Sequence, residues 1–150
     1  MSTASAIVST LSIETLLGGR TVLQVKHRTA LDWVLIIREG IPSAALDSLA
    51  KTMRVTRSEL AVALGIPERT LARRKKEGTL NSEESAKLVR LARVVVRAKE
   101  TFEDFDTAVD WLKSPNAALS GALPLSLLDT DLGAESVMDT LGRIEHGVFA

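Results

Sequence analysis

The sequence predicts an all-α protein made of two packed helical units. Three observations carry that expectation. Apolar residues recur at helical spacing in segment after segment from residue 29 onward. Capping-box pairs, Thr56 with Glu59 and Asn81 with Glu84, mark helix starts, and Gly40, Gly65, Gly78 and Gly147 mark stops. One short strand is expected at Thr21–Val25, and no partner strand for it is evident.

Residues 1–12 are small and hydroxyl-rich and are expected to be loosely ordered, within a flexible N-terminal segment 1–20. Gly18 and Gly19 mark a turn. A helix is expected from Thr29 to Glu39, with Leu31, Val34, Leu35 and Ile37 as its stripe. Trp33 and Ile36 lie off that stripe, so this helix is expected to be buried on most sides. Pro42 opens the next helix, which runs to about Met53 and buries Ala45, Leu46, Leu49 and Met53. This helix should complete a three-helix core with the two that follow.

The stretch Thr56–Lys76 organises the front half. Its first helix starts after Thr56 and buries Leu60, Ala61 and Leu64. Gly65 enters the left-handed conformation and ends it, and Pro67 suits the first turn of the next helix. Ala61, Gly65 and Leu71 have the spacing of a helix-turn-helix. Five of the eight residues from Arg69 to Lys76 are basic. Arg69, Arg73 and Lys76 form one stripe at i, i+4 and i+7, and Arg74 and Lys75 widen it. Such a face suits phosphates, and an arginine on it can read guanine. A solvated charged face is the alternative. With Arg57, Ser58 and Thr70, these five are the candidate DNA contacts. The aliphatic stem of Arg74 is expected to cover the core while its charge stays in water.

After Gly78 a long helix begins at Asn81 and carries Leu88, Val89, Leu91, Ala92, Val95 and Val96, with Phe102 and Phe105 near its end. Its apolar surface suits either a dimer interface or the chain's own core. Asp106–Lys113 is a short helix. A turn-rich connection around Pro115, Gly121 and Pro124 follows, pinned by Leu119, Leu123, Leu125, Leu127 and Leu128. The last helix is expected from about Gly133 to His146, with Val137, Met138, Leu141 and Ile144 facing inward.

The chain has 150 residues and zero formal net charge, but the charge is divided. Residues 1–100 hold 17 Lys/Arg and 10 Asp/Glu, and residues 101–150 hold 2 and 9. A basic front and an acidic back suggest two partners of different kinds. Cysteine is absent, which excludes disulfides and thiolate chemistry and fits a cytoplasmic protein. Neither a signal peptide nor a membrane-spanning run is expected. The two histidines, His27 and His146, lie in no metal-ligand pattern, and no phosphate-cradling glycine loop occurs. Neither an enzyme nor a cofactor is expected.

Several separated motifs resemble a known family. Trp111–Leu119 (WLKSPNAAL), Gly121–Thr130 (GALPLSLLDT) and Leu141–Phe149 (LGRIEHGVF) resemble the toxin-binding domain of Xre/MbcA/ParS-type antitoxins. Arg38–Pro42 (REGIP) and Arg69–Lys75 (RTLARRK) match the front of such proteins, whose helix-turn-helix is Cro/Xre-like. The resemblance implies a helix-turn-helix DNA-binding region (21–80) and a helical toxin-binding and dimerisation domain (81–150). It implies an antitoxin that blocks the active site of a RES-domain, NAD-degrading toxin and represses its own operon. Homodimers and larger toxin–antitoxin assemblies are also implied. The candidate toxin contacts are Arg143, Glu145, His146, Gly147, Val148, Phe149 and Ala150. An acidic unit would be steered to a cleft that holds a pyrophosphate. A C-terminal carboxylate would mimic phosphate, and Val148 and Phe149 would fill the apolar part of the cleft. Alternatively this segment caps the chain's own core. The rival functions are a stand-alone dimeric transcription regulator and a structural adaptor that docks through its back half.

Overall fold

The computed structural model describes residues 12–23 and 29–147. Among them there are α-helices and no strands. The expectations for residues 1–11, 24–28 and 148–150 lie outside the described residues. The helices are α1 (Ile13–Leu16), α2 (Arg20–Leu23), α3 (Ala30–Glu39), α4 (Ala44–Met53), α5 (Arg57–Leu64), α6 (Glu68–Glu77), α7 (Ser82–Phe102), α8 (Phe105–Leu112) and α9 (Asp131–Glu145). Two single 3-10 turns, Ala117–Leu119 and Pro124–Leu127, lie between α8 and α9.

The capping chemistry accounts for the starts. Thr29 with Asp32, Thr56 with Glu59 and Asn81 with Glu84 all form reciprocal capping boxes. Gly65 ends α5 at φ 68°, a left-handed conformation that costs glycine least. The α9 start falls two residues before the expected Gly133, because the Thr130 hydroxyl caps the Gly133 N–H.

α7 is the spine. It packs against α1, α3 and α5 of the front and α8 and α9 of the back. Leu88, Leu91, Ala92, Val95 and Ala98 are buried, so its apolar surface belongs to the chain's own core and not to a dimer interface. The core is continuous from Leu16 and Leu17 through Leu49, Leu64 and Leu71 to Leu112, Leu128 and Leu141. Ser85 accepts a 2.8 Å hydrogen bond from the buried Ile41 N–H and ties the α3–α4 turn to this spine.

Four expectations need correction. Thr21–Leu23 lies in a helical turn and not a strand: among the described residues there is no strand for it to pair with, and Leu23 is buried as part of α2. The segment 12–17 is anchored and not loose. Leu16 and Leu17 are fully buried, and Ser48 donates a 3.0 Å bond to the Leu16 carbonyl. α3 is not buried on most sides. Trp33, Ile36 and Ile37 face the core, whereas Leu31, Val34 and Leu35 of the expected stripe are exposed. Leu123 is likewise exposed, although Leu125 and Leu128 are buried as expected.

Gly133 tests the packing of the back half. A Cβ there would overlap the Leu127 carbonyl oxygen. Gly133→Ala is expected to lower the unfolding free energy by about 3 kcal/mol, measured by urea denaturation. Gly147→Ala has open space around it and should cost less than half as much.

Candidate nucleic-acid and protein interfaces

The basic helix α6 sorts its five cations into two sets. Arg69, Arg73 and Lys76 are exposed on one stripe. Arg73 makes one loose contact, 4.0 Å from Glu77, and no ion pair is found for Arg69 or Lys76 among the described residues.

Arg74 turns inward, and Lys75, though exposed, is paired. Arg74 donates from Nε to Glu84 Oε1 (2.8 Å) and from Nη1 to Glu77 Oε1 (2.7 Å). Its charge is therefore held by two carboxylates and not left in water, which corrects its expected place on the DNA-facing stripe. The position lies over α7, where an apolar residue or a neutralised cation fits. Lys75 pairs with Asp47 of α4 at 3.0 Å. It borders a crevice of about 200 Å³ with Arg57, Leu46, Leu60 and Leu71. Ser58 faces elsewhere, into a groove with Val62, Lys113 and Leu123. Thr70 is half-buried.

Glu84 is the other half of the clamp. Its Oε1 accepts from both Arg74 and the Asn81 N–H (2.9 Å). Burial pushes the carboxyl up, but these bonds and the nearby charges of Arg74 and Arg73 outweigh it, and the group titrates below its ordinary value of 4.5. The same bonds hold the Arg74 guanidinium above its ordinary range. The asparagine-to-glutamate spacing was legible as a cap; that the cap also anchors α6 was not. The signal was an arginine at a core position of the basic helix.

At the far end of α7 a second ion pair fixes α9. Arg97 Nη2 donates to Glu145 Oε1 at 2.6 Å. The arginine holds the Glu145 carboxyl below its ordinary value. Glu145 is therefore turned toward α7. Arg143 and His146 are exposed and share a shallow depression of about 410 Å³ with Met138, Asp139 and Gly142. Asp139 and Met138 were missed, although Asp139, Arg143 and His146 sit at i, i+4 and i+7 and mark one face of the helix. Gly147 follows α9 at φ 71°. Val148, Phe149 and Ala150 lie outside the described residues.

The acidic side chains of the back half, among them Asp106, Asp110, Asp129, Asp131, Glu135 and Asp139, are exposed. Among the described residues no group of His, Asp or Glu suits a metal ion, and no helix is long and apolar enough to cross a membrane.

A cationic second helix of a helix-turn-helix, joined to a helical unit with an acidic exterior, defines a DNA-binding protein with an added protein-binding module. The comparisons agree. Residues 32–93 match the antitoxin Xre-like helix-turn-helix domain, and residues 97–147 match the antitoxin Xre/MbcA/ParS C-terminal toxin-binding domain. Antitoxin Xre of Yersinia enterocolitica is 37% identical over 116 residues, 76% of this chain and 78% of the relative. Antitoxin Xre of Photorhabdus laumondii is 35% identical over 117 residues, 77% and 79% of the two chains. The Prs ADP-ribosylating antitoxin of a Sphingobium species is 27% identical over 130 residues, 80% and 82% of the two chains. This chain belongs to the Xre antitoxin family, with its DNA-binding and toxin-binding domains.

Because the Glu84 pKa is depressed in the folded state, its contribution to stability is full above 4.5 and is lost as pH falls through the lower folded value. Glu84→Gln should lower the unfolding free energy by about 1–3 kcal/mol at neutral pH. The gap from the parent should narrow in acid. Thermal denaturation across a pH series measures both.

Proposed function

We propose that this chain is an antitoxin that blocks the active site of a RES-domain, NAD-degrading toxin with the end of α9 and the residues after it. It also represses its own operon through α6, as a homodimer and within larger toxin–antitoxin assemblies. One observation carries the reading: the two groups of exposed charge hang on opposite parts of one helix. Glu84, which anchors α6, and Arg97, which anchors α9, are 13 residues apart on α7, roughly 20 Å along its axis. Both surfaces are thus available at once.

Each surface has chemistry suited to its partner. Arg69, Arg73 and Lys76 offer three cations to the phosphate backbone, and Arg69 or Arg73 offers a bidentate donor to guanine. An NAD cleft must hold a pyrophosphate and so presents cations. The acidic exterior of α8 and α9 favours encounter with such a mouth. Arg143, His146 and Asp139 then supply polar contacts at its rim, with Gly147, Val148, Phe149 and Ala150 as the segment that enters. Glu145 supports the site from behind through Arg97.

The two activities should separate. Arg69→Ala with Arg73→Ala is expected to abolish tight operator binding and to reduce the slope of log affinity against log salt by about 1.8, or 0.9 per phosphate contact. The same variant should still rescue growth and cellular NAD when co-expressed with the RES-domain toxin. A chain ending at Gly142, and separately Arg143→Glu with His146→Glu, should do the reverse. Full NAD recovery with both of those variants would contradict the toxin-blocking role. Salt-independent DNA binding would contradict the role of α6.

A further inference from the structure

α6 carries one outward charge that phosphate binding does not use. Glu68, Arg69, Ala72, Arg73 and Lys76 follow the spacing i, i+1, i+4, i+5 and i+8, which is one face of a helix. Leu71, buried, and Arg74, held by Glu84, lie on the other side. Three of the five outward residues are cations, and Ala72 between them is small and half-buried. Glu68 stands at the leading edge of this face. It is exposed, and none of the described side chains pairs with it. Glu77, the carboxylate at the other end of α6, is by contrast held by Arg74 at 2.7 Å. A free carboxylate on a face that meets a polyanion weakens binding to every DNA sequence alike.

We infer that Glu68 is a base-selecting residue, which accepts a hydrogen bond from the exocyclic amino group of a cytosine in the major groove; the inference rests on the reading of α6 as the DNA-facing helix. The second helix of a helix-turn-helix presents its N-terminal residues to the base edges, and Glu68 is the first residue of α6. An ionised carboxylate accepts hydrogen bonds and cannot donate them. In the major groove guanine and thymine turn only acceptors toward it, and adenine sets its N7 acceptor beside the N6 donor. Cytosine alone offers a donor with no acceptor beside it on the same base.

The charge therefore lowers affinity for DNA in general and recovers it at one base. Selection of this kind comes from a penalty on the wrong sites as much as from a bond at the right one. Arg69, one residue on, has the opposite chemistry: its guanidinium only donates and suits the acceptors of guanine. Two adjacent side chains thus ask for opposite base types. An acidic residue in the first turn also favours the helix itself. That effect changes stability and is the same for every DNA sequence, so base choice separates the two roles.

The test is selection by the full chain from a pool of random-sequence duplexes, followed by titration of duplexes that differ at one base pair. The parent should select cytosine at one position of the site and discriminate there against the other bases by about 5- to 150-fold. Glu68→Gln, whose amide pairs with adenine, should move that preference from cytosine to adenine and leave the other positions unchanged. Glu68→Ala should lose the preference at that position. Both variants should bind random-sequence DNA more tightly than the parent. Base preferences identical in the parent and either variant would overturn the role of Glu68 alone, whether or not the melting temperature falls. Undiminished binding of the selected duplex by Arg69→Ala with Arg73→Ala would overturn α6 as the contact surface, and this inference with it.

Discussion

The bond between Arg74 and Glu84 decides which way the basic helix faces. One carboxylate oxygen accepts from the Arg74 side chain and from the N–H that starts α7. The capping of the spine and the seating of α6 are thus the same interaction. With Arg74 on α7 and Lys75 on Asp47, the remaining cations Arg69, Arg73 and Lys76 are left facing outward. The burial of Leu71 already turns one side of α6 to the core, and the neutralisation of Arg74 by Glu84 fixes which of its cations stay outside.

The helix-turn-helix is also gripped from behind. A side chain at Gly65 would press on Asp129 of the back half, and Lys87 of α7 reaches the Gly65 carbonyl at 3.4 Å. Arg54 pairs with Asp106 at 2.9 Å, and Lys113 donates to the Arg54 carbonyl at 3.1 Å. These exposed pairs add little stability singly. Together with a continuous core they leave no hinge between the DNA-facing and acidic surfaces.

Much of this was legible because caps and stops are local. Thr29, Thr56 and Asn81 start their helices through neighbours three residues on, and Gly65 ends α5 through its own backbone. The buried face of α4, with Ala45, Leu46, Leu49 and Met53, followed from periodicity alone. What failed needed the other side of a contact. Arg74 was read as a charge left in water because its partner Glu84 lies on another helix, and the pairing of Glu145 with Arg97 was not foreseen for the same reason. α3 has apolar residues all round, so periodicity does not say which side the core takes. The short run after Gly19 reads as a strand by composition, yet a strand requires a partner, and a helical turn satisfies its backbone locally. At the candidate toxin surface, residue types pointed to the end of α9, but the depression beside Met138 and Asp139 exists only once α9 is docked.

The account rests on two separate surfaces carried by one unbroken core. Amide hydrogen exchange of the full chain, alone and with each partner, tests this most directly. Operator DNA should slow exchange in residues 57–76 and leave residues 138–147 unchanged, while the toxin should do the opposite. Protection of both stretches by either partner alone, or DNA protection centred outside α5 and α6, would contradict it.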